Sequence, residues 1–332
     1  MSMLQLLDLA GIYFRAFFAV PTSMTSPDGR PVNAVRGSLD ILARVITDAR
    51  PNRVIACLDL DWRPAWRVEL IPTYKTHRVL EPPGDQTCAA SAAGTDKAST
   101  PHSGTPGQSA DIEVVPDELS PQVPILLDVL DALGIATAGA AGFEADDVIG
   151  TLVATERRDP VEVVSGDRDL LQVARDSDPR ITVRYIGAGM SKAQVYGAAE
   201  VAAKYGIPPG AYADFAALRG DPSDGLPGVA GVGDKTAATL INRFGSVEGL
   251  LEALDGRSTG LTAGMRAKLG AAREYLLVAP KVVRVAVDAP VQVNGDDALP
   301  QEPVDPGRLS ELIRQHGIGG STARLVRAME GR

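Results

Sequence analysis

The chain has 332 residues, 45% of them hydrophobic, enough for a large core and about two domains. No run of about 18 apolar residues occurs, so no membrane-spanning helix is expected, and the apolar N-terminus lacks a basic start and meets Asp8 early, so no signal peptide is expected. The net charge of −9 argues at first sight against a nucleic-acid partner, while two cysteines and three scattered histidines leave no disulfide framework or zinc site and suit a reducing cytoplasm.

In chain order, "LQLLD" (4–8) and "RVIACLD" (53–59) are short apolar runs ending in Asp8 and Asp59, read as strands. Between them, "SLDILARVITDAR" has helical spacing. "PTYKTHR" (72–78) follows, with Lys75 and Arg78 spaced for one helical face. Residues 82–113 hold almost no large apolar side chain and are expected to be disordered or a mobile loop. "PQVPILLDVLDALGI" reads as a helix closed by Gly134, and "DDVIGTLVATERR" as another. "VEVVS" (161–165) is a β-branched strand running into "SGDRDLL". This alternation predicts an α/β fold with a mostly parallel sheet covered on both faces. From about Tyr205 the pattern turns helical with glycine punctuation, and the chain closes on a strand-like "KVVRVAVD", a Pro-rich link and a helix, "RLSELIRQHGI".

The carboxylates fall in a pattern. Asp8 and Asp59 close strands; Glu144, Asp146 and Asp147 open a helix in "GFEADD"; Asp167 and Asp169 follow a strand; Asp221 and Asp224 occupy the turn "GDPSDGLPG". Each group alone also reads as capping or turn chemistry, which stabilises a helix end by about 1 kcal/mol. Four such groups in one chain are harder to explain as caps, and ligands of open parallel sheets bind beyond the carboxyl ends of the strands. An all-oxygen cluster selects hard cations, Mg²⁺ or Mn²⁺, which offset the repulsion among the acids, and two such ions suit phosphodiester hydrolysis. Without these nine carboxylates the remaining charge is zero, and residues 226–284 carry eight Lys/Arg against five Asp/Glu. This arithmetic allows one concentrated acidic site in place of an acidic surface, and the charge is uneven along the chain.

"GVAGVGDKTAATLI" (228–241) fails the P-loop template because Asp234 separates Gly233 from Lys235. A helix–hairpin–helix fits better: Gly228, Gly231 and Gly233 allow close backbone approach, and the amides around Lys235 and Thr236 face a DNA phosphate. The alternative is a plain interhelical turn. In "PTYKTHR", Lys75 and Arg78 would clamp the scissile phosphate while Tyr74 stacks on a base; the alternative is a solvated basic patch.

"LLDLAGIYFRAFFAVP", "YKTHR", "GFEADD", "SGDRDLLQV" and "GDPSDGLPGVAGVGDKTAATLI", in this order, resemble the bacterial 5′→3′ exonuclease and flap endonuclease family, which includes the 5′-nuclease domain of DNA polymerase I. The resemblance spans about residues 3–330 and implies a stand-alone member. It implies a PIN-like nuclease domain (1–204) with a helical arch interrupted by the 82–113 insertion, a helix–hairpin–helix subdomain of the H3TH type (205–284), and a C-terminal segment (285–332) packing back on the nuclease domain. It implies Mg²⁺- or Mn²⁺-dependent cleavage, by two or more ions, of DNA with 5′ flaps, overhangs or nicks, in replication and repair, by a cytoplasmic monomer. Metal roles fall to Asp8, Asp59, Glu144, Asp146, Asp147, Asp167, Asp169, Asp221 and Asp224, the basic arch positions to Lys75 and Arg78, and the opened DNA end to Arg15 and Phe18. A K⁺ ion on hairpin carbonyls is implied around Val229–Val232. Two residues depart from the family pattern: Leu9 stands where Gly is usual, and Gly225 replaces the Asn of "SDN". Two other readings compete. One is an aspartyl-phosphate (HAD-like) phosphatase using Asp59 and Asp61; the other is a non-catalytic binder of DNA structures with vestigial acids.

Overall fold

The computed structural model describes residues 2–79, 115–256 and 260–331. The expectations of disorder and of an arch at 82–113 lie outside these residues. Five strands run parallel: β1 (Leu4–Asp8), β2 (Arg53–Cys57), β3 (Ala136–Gly139), β4 (Val161–Ser165) and β5 (Ile181–Tyr185). Two short antiparallel strands close the edges, β6 (Gln194–Tyr196) on β5 and β7 (Gln292–Asn294) on β3. The order is β6-β5-β4-β1-β2-β3-β7.

The central strands are mostly apolar because both faces are covered, and the buried exceptions, Gln5 of β1 and Glu162 of β4, bond to each other (2.9 Å). Successive residues point to opposite faces. Leu6, Ile55 and Val163 therefore join one apolar cluster, and Leu7, Ala56 and Val164 the other. The register brings Leu7 beside Val164 and Asp8 beside Cys57, so the carboxyl ends of β1, β2 and β4 finish together at one rim.

The second face is covered by α1 (Leu9–Ala19) and α2 (Asn33–Ala49). Leu9 is fully buried there, so this departure from the family's Gly serves the core. A short α3 (Ala65–Leu70) precedes the Tyr74–Arg78 stretch, and α4 (Gln122–Leu133), closed by Gly134 at φ 78°, packs on α2. On the first face lies α5 (Ala145–Thr155). Its apolar cluster continues into helices α6 (Ala198–Tyr205), α7 (Tyr212–Arg219), α8 (Asp234–Phe244), α9 (Val247–Asp255), α10 (Ala263–Ala271) and α11 (Arg273–Val283). Tyr212 and Phe215 of α7 are fully buried in this cluster, with Tyr205 edge-on to Tyr212. The last helices, α12 (Pro306–His316) and α13 (Gly319–Glu330), return to pack on α4 and α2.

Two local expectations are corrected. "KVVRVAVD" is not a strand: its first residues finish α11, and the rest is an irregular connector. Its backbone is satisfied by side chains instead of a sheet neighbour. Arg67 and Gln172 donate to the Val282 and Val283 carbonyls, and Gln172 and Asp147 accept from the Val285 and Ala286 amides. Nor do Lys75 and Arg78 share a helical face. Lys75 sits at φ 49°, in the left-handed region, ahead of a single 3₁₀ turn, Thr76–Arg78.

Candidate active site

A cleft of about 470 Å³ opens where the strand ends meet. Asp8, Asp59, Glu144, Asp146, Asp167 and Asp221 line it, together with the cations Arg15, Lys75, Arg78 and Arg168. Asp8 ends β1 and caps α1: the Gly11 amide donates to Oδ1 (2.9 Å) and the Ser165 hydroxyl to Oδ2 (2.6 Å). Gly11 is required there, because a Cβ would run into the Asp8 carboxylate. Asp59 accepts from the Ala145 amide at the start of α5 (2.6 Å). Glu144 precedes that helix and accepts from Lys75 Nζ (2.6 Å) and from the Tyr74 hydroxyl (2.8 Å). Asp167 accepts from the Asp169 amide (2.8 Å). Asp221 accepts from the Ser223 amide (2.9 Å) and lies 3.4 Å from Arg219.

Asp169 and Asp224 stand behind this rim and do not line the cleft, yet both belong to its field. Burial raises the Asp169 carboxyl well above its usual range, and Asp167, Asp224 and Asp221 add to it; its Oδ1 is buried without a hydrogen-bond partner. Burial, opposed by Lys75, pushes Asp224 up to about 6. Burial and then Glu144 push Asp59 up to about 7, although its side chain is open to the cleft water, which screens part of the effect. Asp8 is raised by burial despite its Ser165 bond, and Asp146 is raised well above its usual range by burial and then by Asp167 and Asp8.

Three site expectations are corrected. Asp147 does not face the cleft. It is 0% exposed and paired with Arg67, because adjacent residues in a helix point in different directions and Asp146 takes the cleft side. Tyr74 offers no stacking face to a base: it is 3% exposed and spends its hydroxyl on Glu144. The phosphatase pair fails as well. Asp61 is buried, accepts from the Arg63 amide and does not line the cleft that Asp59 faces.

Among the described residues, no three His, Cys, Asp or Glu side chains already close on one point as a finished ligand set. The donor chemistry nevertheless fits hard divalent cations. Six carboxylates share one cleft in which no described histidine takes part, and the burial that raises Asp8, Asp59 and Asp146, with repulsion among the acids added to it, is what such a cation offsets.

A pH dependence follows. These aspartates hold protons more tightly in the fold than in the unfolded chain, where they titrate near 3.8. Between about pH 4 and 7 the folded state therefore binds more protons, so stability falls as pH rises. In chelator, the melting temperature should drop between pH 5 and 8, and Mg²⁺ should raise it more at pH 8 than at pH 5. A rise in metal-free stability across that range would contradict the crowding.

The cations are held tightly. Burial works against the Lys75 ammonium, but Glu144, Tyr74 and Asp224 outweigh it and hold its pKa well above the usual lysine value. Its left-handed backbone is a strained conformation, tolerated because the Lys75 amide donates to the Asp224 carbonyl (3.0 Å). Arg78 donates to the Ser223 carbonyl (3.0 Å). Arg15 donates to the Gly187 and Gly166 carbonyls (2.8 and 3.0 Å) and lies flat on Gly166, where no Cβ would fit. Phe18, 73% exposed, projects edge-on from Phe17. Arg67, inside "WRVEL", and Ser165, inside "SGD", carry no signal in the sequence beyond their nearness to the Tyr74–Arg78 stretch and to Asp167.

Gly225 now has a reason. It takes φ 71°, and a Cβ there would collide with the Thr73 carbonyl oxygen, locking the 221–225 turn onto the Thr73–Lys75 loop. Gly225→Asn, which restores the family residue, should therefore destabilise the protein by about 1–3 kcal/mol. A thermal melt checks this; an unchanged melting temperature would show that the loop yields freely.

The glycine-punctuated turn meets α8 as expected. Gly228 (φ 64°) and Gly231 (φ 69°) are left-handed, and a Cβ on Gly228 would stand 2.6 Å from the Arg219 and Gly220 backbone. Gly233 caps α8, and Gly231, Gly233 and Lys235 are exposed, with Thr236 half-buried. Lys268, from α10, comes close above Gly231.

A rim of acids at the strand ends, beside helices hinged on glycine, defines the PIN-like class of α/β nuclease fold. The family model described as "5′-3′ exonuclease, N-terminal resolvase-like domain" matches residues 3–206, and "5′-3′ exonuclease, C-terminal SAM fold" matches residues 207–306. A 5′-3′ exonuclease of Mycobacterium tuberculosis is 53% identical over 99% of this chain and 98% of its own length. One from Streptomyces coelicolor is 49% identical over 97% and 98%. DNA polymerase I of Bacillus subtilis is 32% identical over 88% of this chain but only 28% of the polymerase. Among solved structures, the bacteriophage T5 D15 flap endonuclease, in a pseudo-enzyme-product complex with DNA and metal ions, shares the fold at TM-score 0.60, with 15% identity over 99% of both chains. Human GEN1 in complex with Holliday junction DNA does so at TM-score 0.58, with 17% identity over 97% of this chain and 71% of its own. The chain belongs to the 5′-3′ exonuclease family.

Proposed function

We propose that this protein hydrolyses DNA phosphodiesters at 5′ flaps and 5′ ends, using Mg²⁺ or Mn²⁺, in replication and repair. The observation that carries the reading is the meeting of six carboxylates and four cations in one cleft from six separate stretches of chain. Asp8, Asp59, Glu144 and Asp146 would hold ions on one side, and Asp167 and Asp221 on the other, with Asp169 and Asp224 behind them. Such ions supply a nucleophilic water at neutral pH and stabilise the attacking and leaving oxygens. The chain's own residues do the rest. Lys75 and Arg78 neutralise charge on the scissile phosphate. Arg15 and Phe18 receive the opened DNA end, and the α8 amides with Lys235 and Thr236 grip a duplex phosphate without reading sequence. A K⁺ ion on the hairpin carbonyls around 229–232 belongs to the same reading, as do a cytoplasmic location and a monomeric state.

The test is a 5′-labelled flap duplex incubated with Mg²⁺, Mn²⁺ or chelator. Products ending about one nucleotide into the duplex indicate flap cutting, and mononucleotide ladders indicate exonuclease action. Flap binding without metal-dependent cleavage would favour the non-catalytic binder.

A further inference from the structure

Asp147 is surplus once the cleft acids are assigned. Its carboxylate accepts four bonds: Arg67 Nη1 and Nη2 (2.7 and 2.8 Å), the Ala286 amide (2.8 Å) and the Glu144 amide (3.2 Å). A carboxylate offers about four lone-pair sites, so none remains for a cation. Arg67, also buried, donates Nε to the Val282 carbonyl (2.9 Å), and its Nη1 stands 3.5 Å from Glu144 Oε1. Val282 and Ala286 flank the point where the chain leaves α11, the last helix of the glycine-hinged module. Gln172 holds the same connector at Val283 and Val285. A bidentate guanidinium–carboxylate pair fixes orientation as well as distance.

We propose that Arg67 and Asp147 form a positioning pair that holds Glu144 on one side and the 282–286 connector on the other, setting the register between the helical module and the carboxylate cleft. The pair rests on the nuclease reading and deepens it: it determines which phosphate of a seated duplex reaches the cleft. Loosening it should blur the position of the cut.

The variants are Arg67→Lys, Asp147→Asn and the apolar double Arg67→Met/Asp147→Leu. The double variant removes both charges and so guards against failure of a single variant to fold. Cutting of the labelled flap by Arg67→Lys and by the double variant should spread over neighbouring positions, with kcat down about 10–100-fold and KM within about threefold. Mn²⁺ titrated into DNA-free Asp147→Asn should bind with wild-type stoichiometry, whereas Asp146→Asn should bind less. The proposal is overturned if Asp147→Asn loses Mn²⁺ as Asp146→Asn does, or if the folded double variant cuts at one wild-type position with wild-type kcat. If neither single variant folds, the double variant decides alone. A wild-type protein that leaves flaps uncut would sink the nuclease reading, and the Mn²⁺ titration would still test the pair.

Discussion

Asp146→Asn is expected to lower Mg²⁺-dependent flap cleavage by about a thousandfold while raising the thermal stability of the metal-free protein. The two effects share one cause. Asp146 lines the cleft, and its carboxyl is raised by burial and then by Asp167, Asp8, Glu144 and Asp59. Asparagine keeps the shape and removes the charge. Loss of one cation ligand costs on the order of 4 kcal/mol of transition-state stabilisation, and each 1.36 kcal/mol is tenfold in rate. Without metal the same charge only repels its neighbours, so removing it should raise the melting temperature above pH 7 by about 2–4 °C for each kcal/mol relieved. Single-turnover cleavage and a melt in chelator measure the two sides. Cleavage within tenfold of wild type would remove Asp146 from the centre of the site.

Lys75→Met should lower stability and activity together. The Lys75–Glu144 pair is buried on both sides, and the ammonium also contacts the Trp62 carbonyl (3.3 Å). Removing one partner of a buried pair leaves an uncompensated charge and costs about 3–5 kcal/mol. Among the described residues, the Glu144 carboxylate would then be left with the Tyr74 hydroxyl (2.8 Å) and Arg67 at 3.5 Å, which is already committed to Asp147. Adding Glu144→Gln should restore most of the stability, because the buried charge is gone, yet leave flap cleavage lost. A urea melt and the flap assay on the single and double variants check this. If the double variant were no more stable than Lys75→Met alone, the pair would not be what holds the loop.

Much of the site is legible in the sequence because it follows short local rules. A hydrophobic run that ends in Asp puts that carboxylate at a strand end, and β1 does so with Asp8. Gly233 before "DKTAATLI" starts α8 where a cap belongs. Less legible were positions where one stretch can satisfy two rules. "GFEADD" fits capping and site chemistry in sequence, and it does both: Asp146 serves the cleft, while Asp147 accepts from the Glu144 amide and pairs with Arg67. "KVVRVAVD" has a strand's composition, but no sheet neighbour is available, and side chains from α3, α5 and the 169–173 turn take its backbone bonds.

The sequence by itself determined the alternation of strands and helices, the glycine-hinged module and the identity of the acids, because these depend on periodicity, turn chemistry and charge within about ten residues. Only the tertiary structure decided which acids share water and which are spent on protein partners. Asp146 and Asp147 are neighbours in the chain, but about 100° of helical rotation separates them, and Arg67, eighty positions from Asp147, claims the inner one. A carboxylate's role follows from what faces it across the fold, and that partner is set by packing of distant segments.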